Sequence, residues 1–326
     1  MIQLLLRLRP LTAFATPLQG DTLFGQLCWA VRNGWGEARL AELLAGYTDG
    51  HPFVVVSDAF PAGYLPLPHL PARLWAGDPG DPKARKALKK IAWVPHDVLA
   101  RPLAQWRQAS AGRQPGAAGP DGHGSAWLQV LPQPRNSLDR LTFCTAEGDG
   151  FSPYTVHQFW FAEGARLELH VRLDETRLSR ADLRAALASV GRTGYGKDAS
   201  VGLGKFEVED MADSTLHGHD PADAWLALAP CAPQGLGYDP ARSFYKPFTR
   251  YGRHGDVAVH YGNPFKSPIL LTAAGAVFAP CGPEAFDRGF VGQGLGGEGR
   301  LSRVLRETVH QGYAPALPIR LPEELP

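Results

Sequence analysis

The stretch GRTGYGKDASVGLG, residues 191–204, joins two segments of regular pattern. Before it, residues 179–182 (SRAD) form a capping box that predicts a helix over residues 180–190, which Gly191 ends. After it, residues 205–208 alternate as a short strand. The sequence therefore predicts a helix, a long glycine-rich loop and a strand, in that order.

The regular elements that precede this stretch predict the fold class. Apolar residues at helical spacing predict a helix over residues 21–33, and alternating runs at 155–162 and 166–173 predict a hairpin that turns at residues 163–165. Together the elements follow the order βαββαβ, which is that of the ferredoxin-like fold and of the RNA recognition motif. We therefore expect an α+β, ferredoxin-like domain over residues 1–210, with strands at 2–8, 53–56, 155–162, 166–173 and 205–208.

Two further regions surround or interrupt that domain. Residues 66–134 are rich in proline and glycine and predict an insertion, and within it nine basic and three acidic side chains give residues 73–113 a net charge of +6. Residues 211–326 predict a second, degenerate ferredoxin-like module. Its expected elements are strands at 225–229, 269–272 and 276–279 and a helix at 301–310.

Composition narrows the class of protein. The 326 residues are 44% hydrophobic and 20% charged, with a formal net charge of +1, as expected for a globular chain. The four cysteines stand far apart without a C-x-x-C pair, which favours reduced thiols over a disulfide framework or a zinc site. No signal peptide or membrane-length apolar run is evident, so we expect a cytoplasmic protein with no membrane partner.

Two stretches imitate nucleotide-binding signatures. Residues 191–197 match G-x-x-x-x-G-K, but Asp198 replaces the Ser or Thr that holds Mg²⁺, and the motif follows a helix instead of a strand. Residues 292–297 match G-x-G-x-x-G, but the chain ends too soon for a dinucleotide-binding unit. We therefore predict no nucleotide cofactor.

Candidate catalytic and metal-binding residues are equally weak. The sequence His217-Gly-His219-Asp220 lies in a polar linker without a second ligand segment, so a solvated loop is favoured over a metal site. Asp58 and His69 flank a proline-rich loop, and nothing in the sequence distinguishes them from surface residues. We predict no catalytic residue and no metal.

The glycine loop and one later segment are better candidates for binding. Glycine amides can face phosphates with no intervening side chain, although a long turn shaped by glycines explains the loop equally well. Residues 242–266 carry a net charge of +4 among six aromatic rings, which is typical of a surface that grips single-stranded RNA, unless the rings belong to the core. The candidate RNA-binding residues here are Gly194, Gly196, Lys197, Ser200, Gly202, Gly204, Lys205, Lys246, Arg250, Arg253 and Lys266.

Five pieces of sequence, in this order, resemble a RAMP-superfamily subunit of a type III CRISPR effector. Specifically, they resemble the Csm-type (III-A) subunit that binds the repeat-derived 5′ tag of the guide RNA. The order and spacing of the pieces carry the likeness, which covers nearly the whole chain. They are residues 14–29 (FATPLQGDTLFGQLCW), 57–68 (SDAFPAGYLPLP), 134–141 (PRNSLDRL), 194–206 and 312–321 (GYAPALPIRL).

The resemblance implies tandem ferredoxin-like modules and no nuclease activity. It also implies that Arg135, Asn136 and Arg140, with the glycine loop, contact the tag, and that the insertion forms a thumb at the junction of tag and guide. The implied partners are the guide RNA, the large polymerase-like subunit and a backbone RAMP subunit. We expect the first two helices to dock the large subunit through apolar side chains, namely Leu23, Leu27, Trp29, Val31, Leu40 and Leu43.

Two rival functions remain open. A repeat-processing endoribonuclease of the same superfamily would use a histidine as general base, but such enzymes carry the glycine loop near the C-terminus, whereas about 120 residues follow it here. A structural scaffold would bind protein through its glycine loops. Retention of intact RNA by the purified protein would separate the three functions.

Overall fold

The computed structural model describes residues 1–77, 81–116, 127–145, 152–282 and 288–322. Helices and strands alternate irregularly along the chain, and short 3₁₀ turns connect several of them. The helices are α1 (Gly20–Trp35), α2 (Glu37–Leu44), α3 (Pro82–Lys89), α4 (Trp106–Ala109) and α5 (Arg180–Thr193). The strands are β1 (Ile2–Pro10), β2 (Val54–Pro61), β3 (Tyr64–Pro66), β4 (Trp93–Pro95), β5 (Leu128–Arg135), β6 (Tyr154–Phe161), β7 (Leu167–Leu173), β8 (Phe206–Asp213), β9 (Ala224–Ala227), β10 (Pro247–Arg250), β11 (Ile269–Thr272), β12 (Val277–Phe278), β13 (Phe290–Gly292), β14 (Leu295–Gly296), β15 (Val309–His310) and β16 (Tyr313–Ile319).

The first sheet is antiparallel, with strand order β2-β7-β1-β8. Helices α1 and α5 cover one face, because alternate strand residues such as Leu6 and Leu169 point toward the apolar side of each helix. As predicted, α5 begins at a cap: the Ser179 hydroxyl accepts a hydrogen bond from the Asp182 amide at 3.1 Å. The mixed α/β class with antiparallel sheets is thus confirmed.

The predicted hairpin over residues 155–173 is wrong. Strand β6 pairs along its whole length with β5 in a separate two-stranded ribbon, while β7 lies between β1 and β2. The physical reason is burial: β7 buries both faces, including Glu168 and His170, and a strand of that kind belongs in the middle of a sheet. The alternating pattern and the turn residues correctly predicted where both strands lie. They could not predict which strands would pair.

The second sheet has strand order β12-β9-β16-β13 and is also antiparallel. The helix predicted over residues 301–310 is wrong, because the chain there turns at Ser302 and then pairs as β15 with β14. The Ser302 hydroxyl accepts from the amides of Val304 and Leu305. Leu301, Val304 and Leu305 have helical spacing, but long-range pairing at both ends of the segment overrides it.

The expected docking surface on the first two helices is wrong for four of its six residues, whereas Trp29 and Leu40 are partly exposed and stay a prediction. The side chains of Leu23, Leu27, Val31 and Leu43 are fully buried in the chain's own core. A side chain that is already buried offers no area to a partner. Among the described residues, no helix is long and apolar enough to cross a lipid bilayer.

Polar contacts join the two sheets. The Gln311 side chain accepts from the Val56 amide at 2.9 Å and donates to the Val56 carbonyl at 2.8 Å, so it continues the ladder at the edge of β2. The Asp58 amide donates to the Leu228 carbonyl at 2.9 Å. These contacts place the start of α1, the end of β2 and residues from the second sheet around one buried region.

Candidate RNA-binding surfaces and an aromatic groove

The glycine loop folds back on itself and on the segment that precedes α1. The Tyr195 amide donates to the Gly204 carbonyl, and the Gly204 amide donates to the Ala13 carbonyl, each at 2.8 Å. Two threonine hydroxyls accept from the amides of Lys197 and Lys205 at 3.0 Å. Among the described residues, no acceptor meets the amides of Gly196 and of residues 198–200, so these are the loop amides left for a ligand.

Close packing explains three of the four glycines in this loop. All four have positive φ, between 74° and 100°. A Cβ on Gly194 would lie 2.5 Å from the Leu203 carbonyl oxygen, one on Gly196 would lie 2.8 Å from the Thr16 Cβ, and one on Gly204 would lie 2.1 Å from the Tyr195 carbonyl oxygen. A Cβ on Gly202 would meet nothing. The loop is therefore shaped by its own chain, as the alternative interpretation expected, and its binding role stays a prediction.

The structure brings Arg135 to this loop. Its Nη1 lies 2.8 Å from Oδ2 of Asp198, so the end of β5 is joined to the turn whose amides are open. Asn136 and Arg140 lie in the exposed segment that follows β5, and the Asn136 side chain donates to the Thr145 hydroxyl. Lys197 and Ser200 are exposed, whereas Lys205 is half-buried.

The segment 242–266 presents most of its rings to solvent. Tyr245, Tyr251, Tyr261 and Phe265 are exposed, whereas Phe244 and Phe248 are half-buried. Lys246 and Arg253 are also exposed, and the Arg253 guanidinium lies 5.9 Å from the centre of the Phe265 ring. The interpretation of the rings as core fits only the two half-buried phenylalanines.

Arg250 has a structural contact that the sequence did not indicate. Its Nε lies 2.7 Å from Oδ2 of Asp21, whose side chain is fully buried, and its Nη2 donates to the Gln19 side chain at 3.0 Å. His310 Nε2 lies 3.2 Å from the same carboxylate. Burial raises the pKa of Asp21, but hydrogen bonds and charge from His310 and Arg250 outweigh burial and hold that pKa below its ordinary value. Arg250 therefore joins the two halves of the chain.

Lys266 is also less available than its position in the sequence implies. The residue is half-buried, and burial lowers the pKa of its amine against the opposing effect of Cys28 and Asp21. A cation that is partly buried and close to a buried carboxylate is a weaker phosphate contact than the exposed Lys246.

The outer face of the first sheet carries charge on β1, β7 and β8, where its alternate positions are residues 3, 5, 7, 9, 168, 170, 172, 207 and 209, with no Phe, Tyr or Trp among them. On β2 this face carries Phe60, which lies opposite Glu168 and is buried. Arg7 lies 3.5 Å from the buried Glu168, and Arg9 pairs with Glu207 and Glu209. RNA recognition motifs stack bases on rings at this face, so the arrangement here is poorly suited to that use.

An aromatic groove of about 980 Å³ opens on the side of the molecule where residues 14–19, the insertion, the β5–β6 ribbon and residues 240–246 meet. Three cationic side chains line it, and Asp58 is the one carboxyl among its lining residues. The sequence does not reveal this groove, because its parts are far apart in the chain. Three of its rings, Phe14, Phe60 and Trp75, are buried in its walls. Its partly or fully exposed rings are Trp93, Trp127, Phe159, Phe161, Phe244 and Tyr245.

Asp58 and His69, which the sequence did not distinguish from surface residues, are partly exposed and both line this groove. Burial raises the pKa of Asp58 to about 8, with a further contribution from Asp21, against a hydrogen bond from the Gly20 amide and the charge of Arg250. Burial and then Lys246 lower the pKa of His69 to about 4. Among the described residues, no cluster of three or more His, Cys, Asp or Glu side chains could hold a metal ion.

This chain matches solved structures but no family model or curated protein. A chain of a crystal structure of the Csm1-Csm4 cassette in complex with pppApA matches with a TM-score of 0.60 and 18% identity, covering 99% of this chain and 100% of that one. A chain of the Csm3-Csm4 subcomplex of the type III-A CRISPR-Cas interference complex matches with a TM-score of 0.57 and 11% identity, covering 95% and 99%.

Csm4 is the component that both assemblies share, so this chain has the fold of Csm4 over nearly its whole length. The resemblance drawn from the five pieces of sequence is thereby confirmed for the fold.

Proposed function

We propose that this chain is the Csm4-type RAMP subunit of a type III CRISPR effector complex and that it holds the 5′ tag of the guide RNA without cutting it. The observation that carries the proposal is the likeness in fold, which extends over nearly the whole chain to two different Csm4-containing assemblies. One of these contains Csm1 and the other contains Csm3. By analogy, this chain contacts a large polymerase-like subunit and a backbone RAMP subunit.

The exposed side chains support the RNA-binding part of the proposal. Lys197 and Ser200 lie on the glycine loop beside Arg135, and Arg253 lies beside the exposed ring of Phe265. Cations attract phosphates, and each base stacked on a ring is worth about 1–3 kcal/mol. Exposed cations next to exposed rings are what a single-stranded tag requires.

The finer assignment of modules belongs to the same proposal. The order β2-β7-β1-β8 supports a ferredoxin-like first module, and the second sheet, with its different strand order, is the degenerate one. The β5–β6 ribbon and the segment between its two strands expose Leu131, Leu138, Phe143 and Trp160. We assign the thumb to this ribbon, whose first strand lies at the end of the predicted insertion, because exposed apolar side chains on a projecting ribbon can wedge between bases.

The test is co-expression with the two partner subunits and a guide RNA. We expect one complex on size exclusion that contains the guide with its 5′ tag intact. Charge reversal at Lys197 and Arg253 together should reduce tag binding at least tenfold, whereas Lys86→Glu, an exposed position outside the predicted set, should leave binding unchanged. Site-specific cleavage of the RNA by the purified chain would instead support the endoribonuclease, and a complex without RNA would support the scaffold.

A further inference from the structure

We propose that the aromatic groove binds unstacked bases of single-stranded RNA, with neighbouring phosphates on Lys89, Arg107 and Lys246. This inference rests on the proposed function, since it assumes that the chain binds the guide RNA, and it adds a site that is separate from the glycine loop. The residues that form the groove come from four parts of the chain that the sequence does not connect.

The rings form a continuous row along part of the groove. The centre of the Trp93 ring lies 5.9 Å from that of Phe60 and 6.3 Å from that of Trp127, and Trp127 lies 5.4 Å from Phe161. Phe244 and Tyr245 bring further rings from the second half of the chain. Phe60 is buried, whereas Trp93, Trp127 and Phe161 are partly exposed. Every base has a π-face, so these exposed rings accept bases with little regard to sequence.

The cations of the groove lack ion-pair partners in the part of the chain that the structure describes. Among the described residues, no carboxylate forms an ion pair with Lys89, Arg107 or Lys246. The guanidinium of Arg107 lies 5.0 Å from the centre of the Trp75 ring, and burial lowers its pKa. A partly buried cation without a counter-ion is unfavourable, and a bound phosphate would supply the missing charge.

The remaining polar groups of the groove do not oppose an anion. Asp58 is mostly protonated at neutral pH, because its pKa is about 8. His69 is uncharged at neutral pH as well, because burial and then Lys246 lower its pKa to about 4. The groove therefore combines three positive charges with rings and with uncharged polar groups.

A free nucleotide offers the same base and phosphate groups as an RNA, so the experiment must distinguish these two ligands. The volume of about 980 Å³ lies at the upper end of the range for small-molecule pockets, and the cations and rings are spread over four parts of the chain. These features favour several linked nucleotides over one.

The test compares a groove variant with a matched control. The groove variant is Tyr245→Leu with Lys89→Gln, and the control is Trp35→Leu with Lys86→Gln. Both pairs remove one exposed ring and one exposed lysine, and each lysine lies on α3, but only the first pair lines the groove. Thermal melts of both variants should match that of the wild-type chain.

The probe is a tag RNA carrying 2-aminopurine, whose fluorescence falls when the base stacks on a ring. We expect the groove variant to lose about tenfold in affinity, to lose most of the quenching, and to reduce the salt slope of binding by about 0.7. The control should bind as the wild-type chain does. Excess mixed ribonucleoside monophosphates should not displace the RNA.

Two results would overturn the inference. If the wild-type chain binds the tag but the groove variant binds it equally well, the groove is not an RNA site, while the proposed function stands. If monophosphates displace the RNA at micromolar concentration, the groove is a nucleotide pocket. A wild-type chain that binds no tag RNA at all would refute the proposed function and this inference with it.

Discussion

The glycine loop and the aromatic groove differ in how many of their polar groups already have a bonding partner within the chain. Most amides of the loop donate to the chain itself, and three of its glycines are needed for internal packing. In the groove, by contrast, three cations have no ion-pair partner among the described residues, and six of the rings are partly or fully exposed. A group whose partners lie within its own chain gives little to a ligand, because binding would only exchange one contact for another.

The same distinction separates cations elsewhere in the molecule. Arg9 on the sheet face and Arg250 beside α1 are paired with carboxylates, whereas Lys246 pairs with none that the structure describes. Charge counted along the sequence does not show this difference, which depends on what folding places next to each cation.

The largest effect should come from glycines of the loop. Gly204→Ala should lower the free energy of unfolding by about 3–4 kcal/mol, because the new Cβ would meet a backbone oxygen. Gly202→Ala should lower it by about 1 kcal/mol, since the positive φ is common to both positions but the space at Gly202 is open. Urea unfolding measures both. Equal losses would contradict a loop held by its own packing.

A loss of about 3 kcal/mol is expected for Arg250→Ala, because Asp21 would stay buried after losing its arginine partner, with His310 alone beside it. The salt slope of tag binding should stay at the wild-type value if this arginine acts only on the fold. Urea unfolding and salt titration of the same variant separate the two roles. A stable variant with a reduced salt slope would restore Arg250 as a phosphate contact.

A smaller, pH-dependent effect is expected for Asp58→Asn. The folded protein holds the proton of Asp58 up to about pH 8, well above its ordinary pKa of 3.8, so the contribution of this group to stability falls as pH rises from about 4 to 8. The variant cannot ionise. The melting temperature of the variant, minus that of the wild-type chain, should therefore increase as pH rises from 6 to 9.

The Asp58→Asn variant also tests whether RNA binds in the groove. Above pH 8 the charged carboxylate would repel phosphates, so tag binding by the wild-type chain should weaken by about 0.5–1 kcal/mol between pH 7 and pH 9. Asp21, Arg250 and Tyr195 also face Asp58, but they remain in the variant. Parallel pH profiles for the two proteins would place the bound RNA away from Asp58.

The smallest expected effect concerns residues 198–200 of the glycine loop, the turn whose amides have no acceptor among the described residues. Asp198→Asn removes the partner of Arg135 and keeps a residue type that tolerates positive φ. The half-buried ion pair is worth about 0.5–1 kcal/mol, so stability should fall by no more than that. Filter binding should show tag affinity two- to threefold higher, since Arg135 becomes free for a phosphate. Unchanged affinity would remove Arg135 from the tag site.

The local elements were predictable to within a few residues. The Ser179 cap, the helix after it and the strand at residues 2–8 follow from periodicity and capping. The helix at 301–310 and the hairpin at 155–173 failed because the apolar spacing was present but distant strands decided the pairing. The candidate site was predictable only in part, since nothing along the chain separates the paired Arg250 from the exposed Arg253.

The turns of the chain and the start of α5 follow from the sequence alone, because capping and periodicity act within about ten residues. The partner of β6, the pairing of Arg250 with Asp21, the contact that requires glycine at position 196 and the aromatic groove depend on tertiary packing. Each of these joins residues far apart in the chain. Their energies come from burial and from the neutralisation of charge, and both depend on which surfaces meet when the chain packs.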